Sequence, residues 1–281
     1  MAKFSDDRPH LLRYMYSPSS SITEFLAEHK PEALAWTRAA NNSVPDGITH
    51  GTTIVALKFA GGAVIAGDRQ ATSGTSVGYR YARKVYPVDA TSCIGVAGTS
   101  ALAFDMVRLF QLEVEHYEKI EGSSLSLVGR ANKLAGMVRQ NLPMAMQGLA
   151  VVPVYVGYDD ESDSARIFSY DPAGAMTEEY EGYHSIGSGS LFAMGSLKKL
   201  YAEDLGEDGA IAVALEALYD AAESDTATML PDLGRGIFPT LHVVTSDGER
   251  GLTDDEIATV VQGILDRRRR QPDGPRASIT T

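Results

Sequence analysis

The chain has 281 residues, 44% hydrophobic and 22% charged, ordinary values for a folded soluble protein of one or two domains. A net charge of −12 and a pI near 4.9 exclude a nucleic-acid binder and disfavour an anionic membrane surface as a partner, since both need a basic face. The lone Cys93 cannot form an internal disulfide, fits a reducing compartment, and reads as a small buried hydrophobe in the apolar stretch Thr91 to Ala97.

Residues 1 to 51 differ from the rest. A polar start and a Ser-rich stretch (Ser17 to Ser21) precede one short helix predicted over Thr23 to Ala39. Turn-formers from Asn41 to Gly47 follow, so this segment reads as a leader. Asp6, Asp7, Arg8 and Pro9 stand where a secretory signal would have its apolar core, and no apolar run reaches the ~20 residues of a membrane span. The expected location is cytoplasmic.

The body begins abruptly with a strand over Thr53 to Phe59, a turn at Gly61-Gly62 and a return strand over Ala63 to Ala66. Strands near Lys84 to Val88 and Thr91 to Ala97 lead into two helical patterns, Ser100 to Ile120 and Leu125 to Gln147. Strands over Val151 to Tyr158, Arg166 to Tyr170 and Thr177 to His184 follow, then helices over Ser190 to Tyr201 and Ile211 to Ala222. A strand over Gly236 to Thr245, a turn at Asp247-Gly248 and a last helix, opened by Thr253 and Glu256 in capping-box spacing, close the body. Strand runs alternating with helix pairs predict an α+β fold: two stacked antiparallel sheets with helices on both outer faces, a four-layer αββα sandwich. The tail, 266 to 281, carries four consecutive arginines and is expected to be solvated and disordered.

No phosphate-binding loop, zinc-protease motif, cysteine pair or histidine cluster with metal-ligand spacing occurs, so neither a metal nor a cofactor is expected. Gly187 to Ser190 does not match a nucleophile elbow. What stands out is Gly51-Thr52-Thr53, where the polar leader meets a hydrophobic strand. A threonine freed at a chain start is a self-contained catalytic pair, its hydroxyl the nucleophile and its α-amine the base. That amine titrates near 7.7–8.0 in model peptides, and a fixed cation nearby lowers the value. Asp68, at the end of the return strand, and Lys84, at the start of the next, are candidates for the supporting charges. A three-residue hairpin loop would put Asp68 on the face of Thr52, and a two-residue loop would turn it away. Taken singly each has a bland reading: a common Gly-Thr-Thr, a turn aspartate, a solvated lysine.

From Thr52 to about Leu265 the chain resembles the β-subunits of 20S proteasomes, of the bacterial (actinobacterial) type. The resemblance rests on Thr52 to Val55, Ala66 to Arg69, Arg83 to Val85, Gly95 to Gly98, Tyr183 to Phe192 and Arg235 to Pro239. It implies the N-terminal nucleophile hydrolase fold and a threonine endopeptidase activated by autocatalytic cleavage between Gly51 and Thr52. Thr52 then matches the nucleophile, Lys84 the lysine that tunes its amine, and Asp68 the acid that holds the lysine. Gly98 matches the oxyanion-hole glycine, and Ser188, Asp225 and Thr228 the groups that orient the amine. Met229-Leu230 replace glycines common in relatives. Ser188 also reads as a helix N-cap and Asp225 as a helix end. Ala71, Ala82, Val96 and Ser100 match the specificity pocket, none of them charged, which implies apolar side chains before the cut bond. Thr72 matches the position that binds the substrate backbone.

The resemblance also implies partners. These are like β subunits in a ring, heptameric in this family, α-type subunits, a ring-shaped ATPase acting through the α ring, and unfolded or tagged protein substrates. Two rivals are the simpler two-ring bacterial peptidase of the same fold and a non-catalytic ring subunit. The leader and C-terminal extension argue against the first, and retention of Thr52, Asp68 and Lys84 against the second.

Overall fold

The computed structural model describes residues 49–73 and 76–276. The leader helix expected over Thr23 to Ala39 and the last residues of the tail lie outside them. The strands are β1 (Thr49–His50), β2 (Thr53–Phe59), β3 (Gly62–Gly67), β4 (Ala71–Ser73), β5 (Ser76–Tyr79), β6 (Val85–Asp89), β7 (Ser92–Gly98), β8 (Val151–Asp159), β9 (Ser164–Tyr170), β10 (Met176–Glu178), β11 (Tyr183–Gly187), β12 (Thr240–Thr245) and β13 (Gly248–Gly251). The helices are α1 (Ser100–Glu121), α2 (Leu127–Gln140), α3 (Leu142–Ala145), α4 (Ser190–Leu200), α5 (Glu207–Ser224) and α6 (Asp254–Arg268).

Two five-stranded antiparallel sheets carry the fold, ordered β11-β2-β3-β12-β13 and β10-β9-β8-β7-β6, beside a small β1-β4-β5 sheet. Alternation along the strands sorts the apolar side chains. Ile54, Ala56, Ile65, Val154, Val156 and Val244 meet between the sheets. Val55, Leu57, Val64 and Val243 face α4, α5 and α6, whereas Ile94, Tyr155 and Phe168 face α1 and α2. The αββα sandwich read from the sequence is the observed architecture. Among the described residues no helix is long and apolar enough to cross a membrane.

Several elements differ in detail from the sequence reading. The helix expected over Leu125 to Gln147 breaks at Asn141: α2 starts from Ser126, whose side chain accepts the Gly129 N–H at 3.1 Å, and Pro143 sits in the first turn of the short α3. The strand expected over Thr177 to His184 is two strands in different sheets, divided by a turn in which Gly182 has φ +83°. A Cβ there would lie 2.1 Å from the Tyr201 hydroxyl oxygen. Helix α5 begins earlier than the apolar pattern, with Glu207 and Asp208 in its first turn, where acidic groups complement the helix dipole. The capping box at Thr253 and Glu256 is formed.

The tail also departs from expectation. Helix α6 runs through Arg267 and Arg268, and Arg268 is buried, with salt bridges to Glu216 at 2.7 Å and Asp220 at 2.5 Å and its guanidinium 4.6 Å from the Tyr219 ring centre. A charge in this position is satisfied by partners on α5, so the helix end is docked rather than solvated.

Candidate active site

The β2–β3 hairpin closes with the two-residue loop Ala60-Gly61, since Phe59 pairs with Gly62. Of the two registers left open by the sequence, this one turns Asp68 away from Thr52 and sets it opposite Thr53. The Thr53 N–H donates to Asp68 Oδ1 at 2.9 Å and the Asp68 N–H to the Thr53 carbonyl at 3.2 Å. The other carboxylate oxygen accepts from the Gln70 N–H at 2.9 Å and the Met229 N–H at 3.3 Å. Asp68 is 1% exposed and so reaches Thr52 only through an intermediary.

Lys84 is that intermediary. Its ammonium donates to Asp68 Oδ1 at 2.6 Å and to the Gly51 carbonyl oxygen at 3.0 Å. The Thr52 hydroxyl donates to the same carbonyl oxygen at 2.5 Å. Burial pulls the Lys84 ammonium below the ordinary lysine range, while Asp68 and then Asp225 pull it back up. The carbonyl between Gly51 and Thr52 is therefore polarised by a buried cation, with a hydroxyl one residue away.

Backbone geometry holds this junction in place. Gly51 has φ +108°, and a Cβ on it would lie 2.5 Å from Thr72 Oγ1 and 2.9 Å from the Ala227 Cβ. The chain before it, β1, pairs antiparallel with β4, His50 opposite Thr72. Gly187 has φ +99° and could carry no Cβ, since that atom would lie 2.0 Å from the Thr52 carbonyl oxygen. The Ser188 N–H donates to that same carbonyl at 2.8 Å.

A second cluster faces the Thr52 backbone nitrogen. The Thr52 N–H lies 3.5 Å from Ser188 Oγ, and Ser188 Oγ donates to Asp225 Oδ2 at 2.6 Å. Thr228 Oγ1 donates to the same Asp225 oxygen at 2.6 Å and lies 2.5 Å from the Thr53 hydroxyl. Asp225 is also the residue that ends α5, as the helix-end reading had it.

Two spaces flank Thr52, and Gly98 lines both. One, of about 470 Å³, runs between the sheets past Ala97, Val152, Tyr170 and Ser188. The other, about 50 Å³, is lined by Ala82, Val96 and Ser100, but also by Arg83, Lys84, Tyr86 and Phe104. Ala71 lines neither; it is buried in β4, opposite Tyr79. The pocket expected from four uncharged residues thus has three of them, and two cations at its wall. Lys84 is committed to Asp68 and Gly51, while Arg83 is exposed.

The family described as "Proteasome subunit" matches residues 48–229. The chain belongs to this family. It is 52% identical over 266 residues, 93% of each chain, to the "Proteasome subunit beta" of Streptomyces griseus subsp. griseus. It is 51% identical to that of Frankia alni, over 90% of this chain and 92% of the relative. To that of a Parafrankia species it is 50% identical, over 93% and 95%.

This proteasome subunit also holds site residues that the sequence reading missed. Gln70 ties the Asp68 loop to the Thr226 carbonyl through its side chain at 2.9 Å. Thr53 Oγ1 accepts the Gly189 N–H at 3.1 Å, and a Cβ on Gly189 would stand 2.4 Å from that oxygen. The glycine-rich run Gly187 to Gly189 was the available signal. It marks close approach of two strands rather than an elbow. The Met229-Leu230 loop, which lacks glycines, still delivers the Met229 N–H to Asp68.

Proposed function

We propose that this chain is the catalytic β subunit of a 20S proteasome core and a threonine endopeptidase with Thr52 as nucleophile. Membership of the proteasome family and the roughly half-identical β subunits support the assembly. The observation that carries the chemistry is the convergence of the Thr52 hydroxyl and the Lys84 ammonium on the Gly51 carbonyl oxygen.

In the activating step Thr52 Oγ attacks the Gly51 carbonyl carbon and passes its proton to water. Negative charge develops on the carbonyl oxygen, where Lys84 already donates. The Thr52 nitrogen leaves carrying a proton, giving an ester on Oγ, and water hydrolyses that ester to release residues 1 to 51. The freed α-amine then lies toward Ser188 and Asp225. Kept neutral by the nearby Lys84 cation, it takes the Oγ proton when a substrate carbonyl binds and later activates the deacylating water. Gly98 supplies a backbone N–H to the oxyanion. Asp68 holds the lysine and touches no reacting atom.

The pairing of β1 with β4 supports a substrate lying the same way, its backbone against Thr72 and the residue before the cut bond at the position of Gly51. The narrow pocket of Ala82, Val96 and Ser100 receives that residue's side chain. Its 50 Å³ holds no aromatic ring with Tyr86 and Phe104 as they stand, their ring centres 6.4 Å apart, so larger side chains require Phe104, 46% exposed, to swing outward. The reading extends to a ring of like subunits under α-type rings, fed unfolded or tagged proteins by a ring ATPase in the cytoplasm.

Thr52→Ala and Lys84→Ala tests decide it. Both variants are expected to keep residues 1 to 51 and to lose peptidase activity by at least about a hundredfold. N-terminal sequencing should find Thr52 first in the wild type. Normal processing and turnover by either variant refutes the assignment.

A further inference from the structure

Outside the Thr52 site, one group of side chains converges without serving the reaction. Cys93 on β7, His242 on β12 and Glu249 on β13 bring a sulfur, an imidazole nitrogen and a carboxylate oxygen within 4.8 Å of one another. None of the three lines the spaces beside Thr52. The topology explains the meeting. Leu241 and Val243 face the helices while Val244 faces the opposite sheet, so His242 also points between the sheets. Glu249 pairs with Val244 and shares its face, and Cys93 belongs to the same inter-sheet layer from the other side.

We propose that Cys93, His242 and Glu249 form a divalent transition-metal site, with zinc as its cation, that clips β7 of one sheet to β12 and β13 of the other. The donor set selects the metal: a thiolate with an imidazole and a carboxylate suits zinc, whereas magnesium and calcium take oxygen ligands. Three protein ligands leave a fourth position for water. Tetrahedral donors at zinc bond lengths of 2.0–2.3 Å stand roughly 3.5 Å apart, so closure needs a movement of about 1 Å by the outlying donor. His242 Nδ1 and Glu249 Oε1 share a hydrogen bond at 2.5 Å, which opens by about 1 Å as both atoms turn to the cation. The Glu249 N–H donates to the Ala90 carbonyl at 2.7 Å, which fixes β13 against the turn before β7. Cys93 is fully buried, whereas the His242 and Glu249 side chains are 12% and 16% exposed, so a cation enters from their side. Binding releases the thiol proton of Cys93 to solvent; no electron is transferred.

Cobalt(II) is the probe, added to the purified full-length chain after treatment with a chelator. The expected result is a sulfur-to-cobalt charge-transfer band with tetrahedral d–d bands, saturating at one equivalent and bleached by zinc. Cys93→Ser should abolish the charge-transfer band, and His242→Gln or Glu249→Gln should weaken cobalt affinity at least tenfold. Peptidase turnover should be the same with and without metal. The wild-type titration decides even where a variant fails to fold: absence of the charge-transfer band at saturating cobalt overturns the site. Persistence of that band in Cys93→Ser does so too.

Discussion

Gly51→Ala isolates the activating step from the mature enzyme. At φ +108° a Cβ would press on Thr72 Oγ1 at 2.5 Å and the Ala227 Cβ at 2.9 Å. Holding alanine in so sparsely populated a conformation costs about 1–3 kcal/mol. If the chain shifts to relieve the contact, the carbonyl oxygen leaves Lys84 Nζ and Thr52 Oγ1, now 3.0 and 2.5 Å away. The reactive conformation then lies above the relaxed chain by a similar amount, so leader removal should slow roughly 5- to 150-fold. The assay is a gel time course of leader loss in particles assembled from the variant, with N-terminal sequencing of the product. Residue 51 departs with the leader, so particles that have finished processing should turn over peptides at the wild-type rate per Thr52 terminus. Processing at the wild-type rate would refute the geometric argument, and slow turnover by fully processed particles would place the defect elsewhere.

Further outcomes follow from other parts of the structure. Lys84 must be charged to act, and its folded pKa lies below the ordinary lysine range, so peptidase activity should fall on an alkaline limb beneath that range. Asp68 is the largest influence raising that pKa; Asp68→Asn should move the limb to lower pH, and a pH–rate profile with an unmoved limb would contradict the pairing. The same shift means the folded state binds fewer protons than the unfolded one between the folded pKa and the ordinary lysine value, so this group's contribution to stability rises with pH across that window. Arg268→Ala leaves Glu216 buried with Arg267, at 2.9 Å, as its remaining salt-bridge partner among the described residues. Losing such a pair costs roughly 3–5 kcal/mol, or about 6–15 °C of Tm by thermal unfolding, and a shift below about 2 °C would show the tail to be solvated after all. Fluorogenic peptides differing only in the residue before the cut bond should be cleaved faster with Ala or Leu than with Arg or Glu. Equal turnover of the Arg substrate would mean that the pocket beside Val96 is not the one used.

Much of the fold was legible in the sequence because its elements are local. The β-branched content of Thr53 to Phe59, helical spacing in Ser100 to Ile120 and the Thr253–Glu256 capping box each lie within one segment. The break at Gly51-Thr52 was legible for the same reason, and the resemblance to a known family then attached roles to residues that spacing alone left open. The misread elements are those in which local pattern competed with packing. Thr177 to His184 reads along the chain as one strand, yet β10 and β11 belong to different sheets, because the Gly182 turn folds against Tyr201.

The sequence by itself determined which segments could be strands or helices and where the polar N-terminal stretch gives way to an apolar strand. Tertiary structure alone decided which side chains meet. The hairpin register turned Asp68 from Thr52, and only the approach of Lys84, just before β6, restored the link. Likewise Arg268 reads as one of four solvated arginines until α5 supplies Glu216 and Asp220. Cys93 and His242 carry no spacing signal, because a β-strand shows its neighbours only along the chain. Which residue stands opposite, one sheet away, is fixed by register and sheet stacking, and those depend on the whole core.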